Sequence, residues 1–281
     1  MIIFSLFRTN NNINNNSQRN WNNKTTTILG IRMVKAYNNS PLVEAVCQIE
    51  FSDDTEWDEK IPDRLYDRIK GDFPNRTSRI KTSCPGMPEG KKQDQVKINK
   101  TEYIVFSNDN KKIEISVCNK KCLLVRVLKP YPSWETFNST IEFAIANLSE
   151  ISTIKKISKS RLYYYNIIET NRETVDEYDY FKLIPKIPKG LPQTMSDFII
   201  GCEFPFTENN AICKTVITTT QKDQKNDQKN VQFSFSLDYS STRSNNLTTD
   251  NIIEWIQTAH NTIMDIFENS ITTKLKNIII K

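Results

Sequence analysis

The chain has 281 residues, of which 37% are hydrophobic and 25% are charged. No run of eighteen apolar residues occurs, so the sequence predicts no transmembrane helix and no membrane partner. The net charge is +5, yet five of the 38 basic residues and none of the 33 acidic residues lie at positions 1–35. The rest of the chain is therefore balanced, which argues against a nucleic-acid-binding protein with a strongly basic face.

Residues 1–32 form a low-complexity segment that contains the asparagine-rich stretch 10–16. Such a segment buries too little apolar surface to offset the entropy of ordering, so we expect a disordered extension. Its first residues lack the basic and apolar regions of a secretory signal, and we expect a cytoplasmic protein. Met33 is a second candidate for the first residue of the protein.

The first half of the body, residues 33–153, predicts a strand, a helix, a three-stranded meander and a second helix. Apolar and polar residues alternate over 43–51, which is typical of a half-buried strand. Ile61 and Pro62 open a helix that Pro74 ends. A further helix follows Ser133. The meander strands are expected at 96–107, 112–118 and 122–129.

The second half, residues 154–281, repeats this order in outline. A strand is expected at 158–169, and a second meander at 196–206, 211–220 and 231–239. Asp250 to Lys281 is predicted as one long amphipathic helix capped by Asp250, because its apolar residues recur every three or four positions.

The predicted fold class is α+β, with antiparallel sheet carrying helices on one face. The two halves suggest a duplicated strand-helix-meander-helix unit, and we expect them to pack as one globular unit.

Several short motifs follow one another in a distinctive order. They are Pro41-Leu42-Val43-Glu44-Ala45-Val46, Leu162-Tyr163-Tyr164-Tyr165-Asn166, Gly190-Leu191-Pro192, and Trp255, His260, Phe267 with Ser270-Ile271-Thr272. This order resembles a sporadically distributed family of uncharacterised bacterial and archaeal proteins, over about residues 39–279. Tyr163 stands where that family usually has arginine. The resemblance implies no activity or cofactor, and the patchy distribution is similar to that of genes in defence or toxin–antitoxin neighbourhoods.

Five residues are candidate functional residues: Glu44, Tyr164, Asn166, Trp255 and His260. Tyr164, Asn166 and Trp255 are candidates through the motifs of the resemblance. His260 is the only histidine, so it is a candidate general base or ligand. The alternative for His260 is a structural residue hydrogen-bonded to a neighbouring strand. Glu44 lies on the polar side of its strand, where it can face a groove or an arginine.

The sequence predicts no catalytic residue, no metal and no cofactor. It contains no phosphate-binding glycine loop, no His-Glu-x-x-His and no nucleophile elbow. Its six cysteines are expected to be reduced thiols, and Cys118 and Cys122 are expected to face each other across a hairpin turn. A zinc site there would need a second cysteine pair at finger spacing.

Three functions compete. The first is a non-catalytic binding or regulatory protein with a protein partner, such as an adaptor or a neutralising partner in a defence or toxin–antitoxin setting. The second is a nucleic-acid-binding protein that uses the sheet face, with Tyr163 and Tyr165 stacking on bases. The third is an enzyme centred on His260 and Glu44. We rank the first highest; the sequence does not indicate the oligomeric state.

Overall fold

The structure is a computed structural model, and it describes residues 40–83, 99–170, 177–192, 197–222, 230–242 and 246–279. The predicted asparagine-rich extension, 1–32, lies outside these residues. The contacts reported below fall within one compact unit, Ala36–Lys81 with Thr101–Lys281. Of a second unit, Met1–Lys35 with Thr82–Lys100, the described residues are only the ends of two strands.

The described residues form nine strands and four α-helices. The strands are β1 Leu42–Phe51, β2 Asn75–Ser83, β3 Asn99–Ser107, β4 Ile113–Cys118, β5 Cys122–Leu128, β6 Ile157–Glu169, β7 Ile199–Phe206, β8 Ala211–Lys222 and β9 Asn230–Ser241. The helices are α1 Ile61–Ile69, α2 Trp134–Ser149, α3 Ile252–Ser270 and α4 Thr273–Ile279.

All nine strands lie in one antiparallel sheet with the order β2-β3-β4-β5-β1-β6-β9-β8-β7. The first strand of each half lies at the centre, where β1 pairs with β6, and Cys47 lies opposite Leu162. Outward from this pair, the first half continues with β5, β4, β3 and β2, and the second half continues with β9, β8 and β7. The halves therefore share a single sheet.

The helices pack on one face of this sheet, which confirms the predicted α+β fold. Along the central strands, alternate residues point to that face and are buried; Ala45, Cys47 and Ile49 of β1 are examples. The buried stripes of α2 and α3, which include Ile141 and Ile263, complete the same core. Full burial of each such side chain contributes about 1.5–3 kcal/mol.

The prediction of one long closing helix was wrong. α3 ends at Ser270, and Ile271 is extended and forms a β-bridge with Phe181. Thr272 then accepts a hydrogen bond from the N–H of Leu275 in α4 (3.3 Å). A side-chain hydroxyl at a helix start satisfies a free N–H in this way, so the chain restarts as α4.

Two helix boundaries also differ from the prediction. The N-cap of α3 is Asn251 rather than Asp250, and its side chain makes no capping hydrogen bond. α1 ends at Ile69, four residues before Phe73, which is buried just beyond the helix. The predicted start of α2 is confirmed, because the Ser133 side chain accepts from the N–H of Thr136 (3.2 Å).

Strand β2 was not predicted, because its residues Asn75–Ser83 are polar and show no alternation. Between β6 and β7, the described residues contain a short 3-10 turn, Glu177–Asp179, rather than an α-helix. The repeat of strand, helix, meander and helix is therefore incomplete in the described part of the second half.

Cys118 and Cys122 face each other on β4 and β5, as predicted. The expectation that they are reduced was wrong for the structure, in which the two sulfur atoms form a disulfide. Facing positions in an antiparallel pair bring two side chains within bonding reach, so the hairpin places these two sulfur atoms next to each other. Cys47, Cys202 and Cys213 are free thiols.

Candidate functional site

The face of the sheet opposite the helices is the main candidate site. Strand alternation directs Glu44, Val46 and Gln48 of β1 to this open face, because their neighbours Ala45 and Cys47 belong to the core. Val46 lies opposite Arg126 of β5 and Tyr163 of β6. In-register neighbours share a face, so these side chains form one continuous surface.

A groove of about 510 Å³ lies on this open face. It crosses six adjacent strands, from β2 to β6 in the order of the sheet. Its size is within the range of ligand sites in proteins. The lining residues are Glu44, Val46, Gln48, Arg79, Ile80, Lys81, Tyr103, Val105, Glu114, Ser116, Leu124, Arg126, Arg161 and Tyr163.

A network of alternating charges runs across the floor of the groove. Arg79 donates two hydrogen bonds to Glu114, each 2.7 Å long. Arg126 donates to Glu114 at 3.3 Å and also to Glu44. Burial by itself raises the pKa of the Glu114 carboxyl, but the hydrogen bonds and charges of the two arginines outweigh it and lower this pKa. Glu114 is therefore a buried, ionised carboxylate held by two cations.

Arg161 forms the second charged feature of the groove. It donates to Asp238 of β9 at 2.7 Å, and its guanidinium lies 4.8 Å from the ring centre of Tyr163. This is cation–π geometry, which fixes both side chains. Desolvation is the main cause that raises the pKa of Tyr163, so this phenol is neutral at neutral pH.

Apolar side chains also line the groove, between polar ones such as Gln48 and Ser116. Val46 and Val105 are buried in its floor, and Leu124 is half-buried beside them. Ile80 of β2, at one end, is 65% exposed and is the most exposed large hydrophobic side chain of the described residues. The groove thus joins an apolar floor to a charged network.

His260 belongs to a different cluster, on the helix side of the sheet. Its side chain is 3% exposed, and its Nδ1 atom lies 2.8 Å from the Tyr164 hydroxyl. The Trp134 ring stacks on the imidazole with the ring centres 3.9 Å apart, and the Trp134 indole N–H donates to Gln257 at 2.9 Å. This is the arrangement of a structural histidine that ties α3 to β6 and α2.

Burial lowers the pKa of His260 to about 4, and the negative charge of Glu135 only partly opposes this shift. The imidazole is therefore neutral at neutral pH. Its Nε2 atom is buried and has no hydrogen-bond partner in the described part of the chain. An enclosed imidazole of this kind presents no proton acceptor to a ligand on the open face.

The structure separates most of the residues singled out from the sequence. Tyr164 and His260 meet, but Glu44 and His260 lie on opposite sides of the sheet, so they form no common site. Asn166 donates to the carbonyl of Phe235 at 3.1 Å within the core. Trp255 is buried with its ring centre 5.4 Å from that of Tyr239.

Sequence reasoning missed the arginines of the groove and their main partner. Glu114 and Arg126 are single charges in otherwise apolar strands, and each is four residues from Cys118 or Cys122 at the hairpin turn. That equal spacing predicts a facing pair and was a usable signal. The sequence carries no comparable signal for Arg79, because β2 has no recognisable strand pattern.

Neither a protein-family model nor a curated protein matches this chain. Within the described ranges, no three side chains of His, Cys, Asp or Glu cluster as metal ligands would. The helices of the described chain are each too short or too polar to cross a membrane.

Proposed function

We propose that this protein is a non-catalytic binding protein that holds a protein partner on the open face of its sheet. The observation that carries the proposal is the groove, which combines an apolar floor with ion pairs that are already formed. Prearranged side chains reduce the entropic cost of association, which favours binding. A role as adaptor or neutralising partner in a defence or toxin–antitoxin setting is part of this proposal and rests on the family resemblance.

The placement of the titratable groups supports binding over catalysis. Glu44 and Glu114 are each engaged by an arginine, and His260 is enclosed on the other side of the sheet. A general base must reach the proton that it abstracts. The side chains that reach the groove are suited to recognition, since arginine and tyrosine are enriched where proteins bind each other.

The test is to obstruct the groove and measure partner capture. Gln48→Trp places a large ring on the open face of β1, the middle strand of the sheet, and aromatic residues are favoured in strands in general. Ser139→Trp adds the same ring to an exposed position of α2 and serves as the matched control. We expect the wild type and Ser139→Trp to retain the same stoichiometric protein from a lysate of the source cells, and Gln48→Trp to lose it. Equal capture by all three folded proteins would overturn the proposal.

Single-stranded nucleic acid is the second candidate occupant, favoured by one observation. Tyr163 and Tyr165 of β6 both point to the open face, while Tyr164 between them is buried. Tyr163 and Tyr165 are half-buried, and tyrosine rings that are partly accessible on a sheet face can stack on bases. Binding of a fluorescent oligothymidine that weakens steeply with salt, and is lost in Tyr163→Ala, would support this candidate.

A further inference from the structure

We infer that the groove recognises an extended peptide segment of the partner, with an acidic residue at the β2 end and apolar side chains along the floor. The inference rests on the proposed function, because it names the chemistry that the same open face selects.

The length of the groove favours an extended chain. The lining residues come from six neighbouring strands. Adjacent strands lie about 4.8 Å apart, so the groove is about 24 Å long. An extended peptide advances about 3.3 Å per residue and would cover this distance with about seven residues. A compact small molecule would contact only part of such a surface.

The β2 end presents positive charge to a ligand. The Arg79 side chain is 50% exposed, whereas its partner Glu114 is 4% exposed and lies beneath it. Lys81, two residues along the same strand, is exposed and makes no ion pair or hydrogen bond within the described part of the chain. A ligand at this end therefore meets two cations and little of the carboxylate. An acidic side chain fits there.

The centre of the groove offers apolar contacts that alternate with polar side chains. Val46, Val105 and Leu124 offer no hydrogen-bonding group from their side chains, and Gln48 and Ser116 lie beside Leu124. Covering apolar surface removes it from water and is favourable. A segment with apolar residues next to its acidic residue therefore matches the groove along its length.

The same surface suits a nucleic acid less well. Phosphates every few ångströms would approach Glu44 and Asp238, which lie on the open face beside Arg126 and Arg161. The Arg161 guanidinium also lies over the Tyr163 ring, on which a base would have to stack. A peptide with a single acidic end avoids both conflicts.

The test uses fluorescence anisotropy with the full chain and synthetic octapeptides. The probe carries aspartate at its first two positions and alternating leucine and serine after them. A second peptide has lysine in place of both aspartates, and a labelled fifteen-residue oligothymidine represents nucleic acid. We expect the aspartate peptide to bind at least about tenfold more tightly than the lysine peptide.

Lys81→Glu is the diagnostic variant, and Lys120→Glu is its matched control. Lys120 is exposed in the turn between β4 and β5 and does not line the groove, so both variants change the net charge equally. We expect Lys81→Glu to weaken binding of the aspartate peptide about tenfold and Lys120→Glu to change it less than about twofold. Equal effects of the two variants would overturn the inference.

The outcomes separate the inference from the proposed function. If oligothymidine binds more tightly than either peptide, the acidic-peptide inference is wrong and the nucleic-acid candidate replaces it. If neither peptide binds while Gln48→Trp still abolishes capture of the partner, the open face is the binding site and the inferred peptide chemistry is wrong. If Gln48→Trp has no effect on capture of the protein partner, the proposed function is wrong, and the inference that rests on it is wrong too.

Discussion

Glu114 of β4 and Arg79 of β2 are joined by two hydrogen bonds, each 2.7 Å long, and β3 lies between their strands. The carboxylate is almost fully buried, while the guanidinium is half exposed. This pair fixes part of the groove floor, since any other position of Arg79 leaves Glu114 with one hydrogen-bonding partner fewer. Pairs of this geometry contribute orientation as well as energy.

Removing the charge of Glu114 should destabilise the protein. Glu114→Gln leaves Arg79 and Arg126 beside a neutral amide, and we expect the free energy of unfolding to fall by about 2 kcal/mol. Glu203→Gln is the control, because the pair of Glu203 with Lys214 is exposed on both sides and should contribute less than about 1 kcal/mol. Urea denaturation at pH 7 measures both; equal losses would contradict the structural role of Glu114.

Tyr164→Phe should also destabilise the fold, because it removes the hydrogen bond to His260 and leaves a buried ring nitrogen without a partner. We expect a loss of about 1–2 kcal/mol in the free energy of unfolding. Tyr163→Phe, at the next residue on the open face, should cost less than about 0.5 kcal/mol. A larger effect at Tyr163 than at Tyr164 would reverse the assignment of faces.

The stability of the protein should fall below neutral pH because of His260. Its pKa is about 4 in the fold and 6.5 in the unfolded chain, so the unfolded state binds the extra proton between these values. The contribution of the neutral His260 side chain to the free energy of unfolding is fully present above pH 6.5 and is lost as the pH falls toward 4. Between pH 7 and pH 5 the loss should be about 2 kcal/mol.

His260→Asn provides the comparison for this pH effect, since the chain has no other histidine. The variant should be less stable at pH 7 and should lack the loss attributed to His260 between pH 7 and pH 5. Chemical denaturation at several pH values gives the pH dependence of the free energy of unfolding for the wild type and for His260→Asn. Parallel curves for the two proteins would show that His260 is not buried in its neutral form.

The break between α3 and α4 should depend on Thr272. Thr272→Val keeps the shape of the side chain but removes the oxygen that accepts from Leu275 and the hydroxyl that donates to the carbonyl of Asp179. We expect the free energy of unfolding to fall by about 1 kcal/mol. Thr273→Val, at the adjacent exposed position, is the control and should have a smaller effect. An equal effect at both positions would argue against the capping role.

Much of the fold could be predicted because most strands and helices carry a clear hydrophobic period. β1 alternates, α2 has a three- and four-residue stripe, and short polar turns join the meander strands. β2 could not be predicted in this way, since an edge strand with polar residues is held by pairing alone. The end of α3 was missed because its cause, the bridge between Ile271 and Phe181, joins residues far apart in sequence.

The candidate site was only partly accessible to sequence reasoning. Glu44 was expected on the polar side of its strand, facing a groove or an arginine, and in the structure it lines the groove and pairs with Arg126. Its distance from His260 depends on which face of the sheet the helices cover, and a linear pattern does not contain that information. The groove itself results from pairing β5 with β1 and β1 with β6, which brings Arg126, Val46 and Tyr163 together across the sheet.

The most direct measurement of the central claim is site-specific photocrosslinking in the source cells. A benzophenone amino acid is placed at Gln48 in the groove or, in the control, at Ser139 on α2, and irradiated products are identified by mass spectrometry. We expect a specific protein adduct from position 48 and none from position 139. Adducts from position 139 alone, or nucleic-acid adducts from position 48, would contradict it.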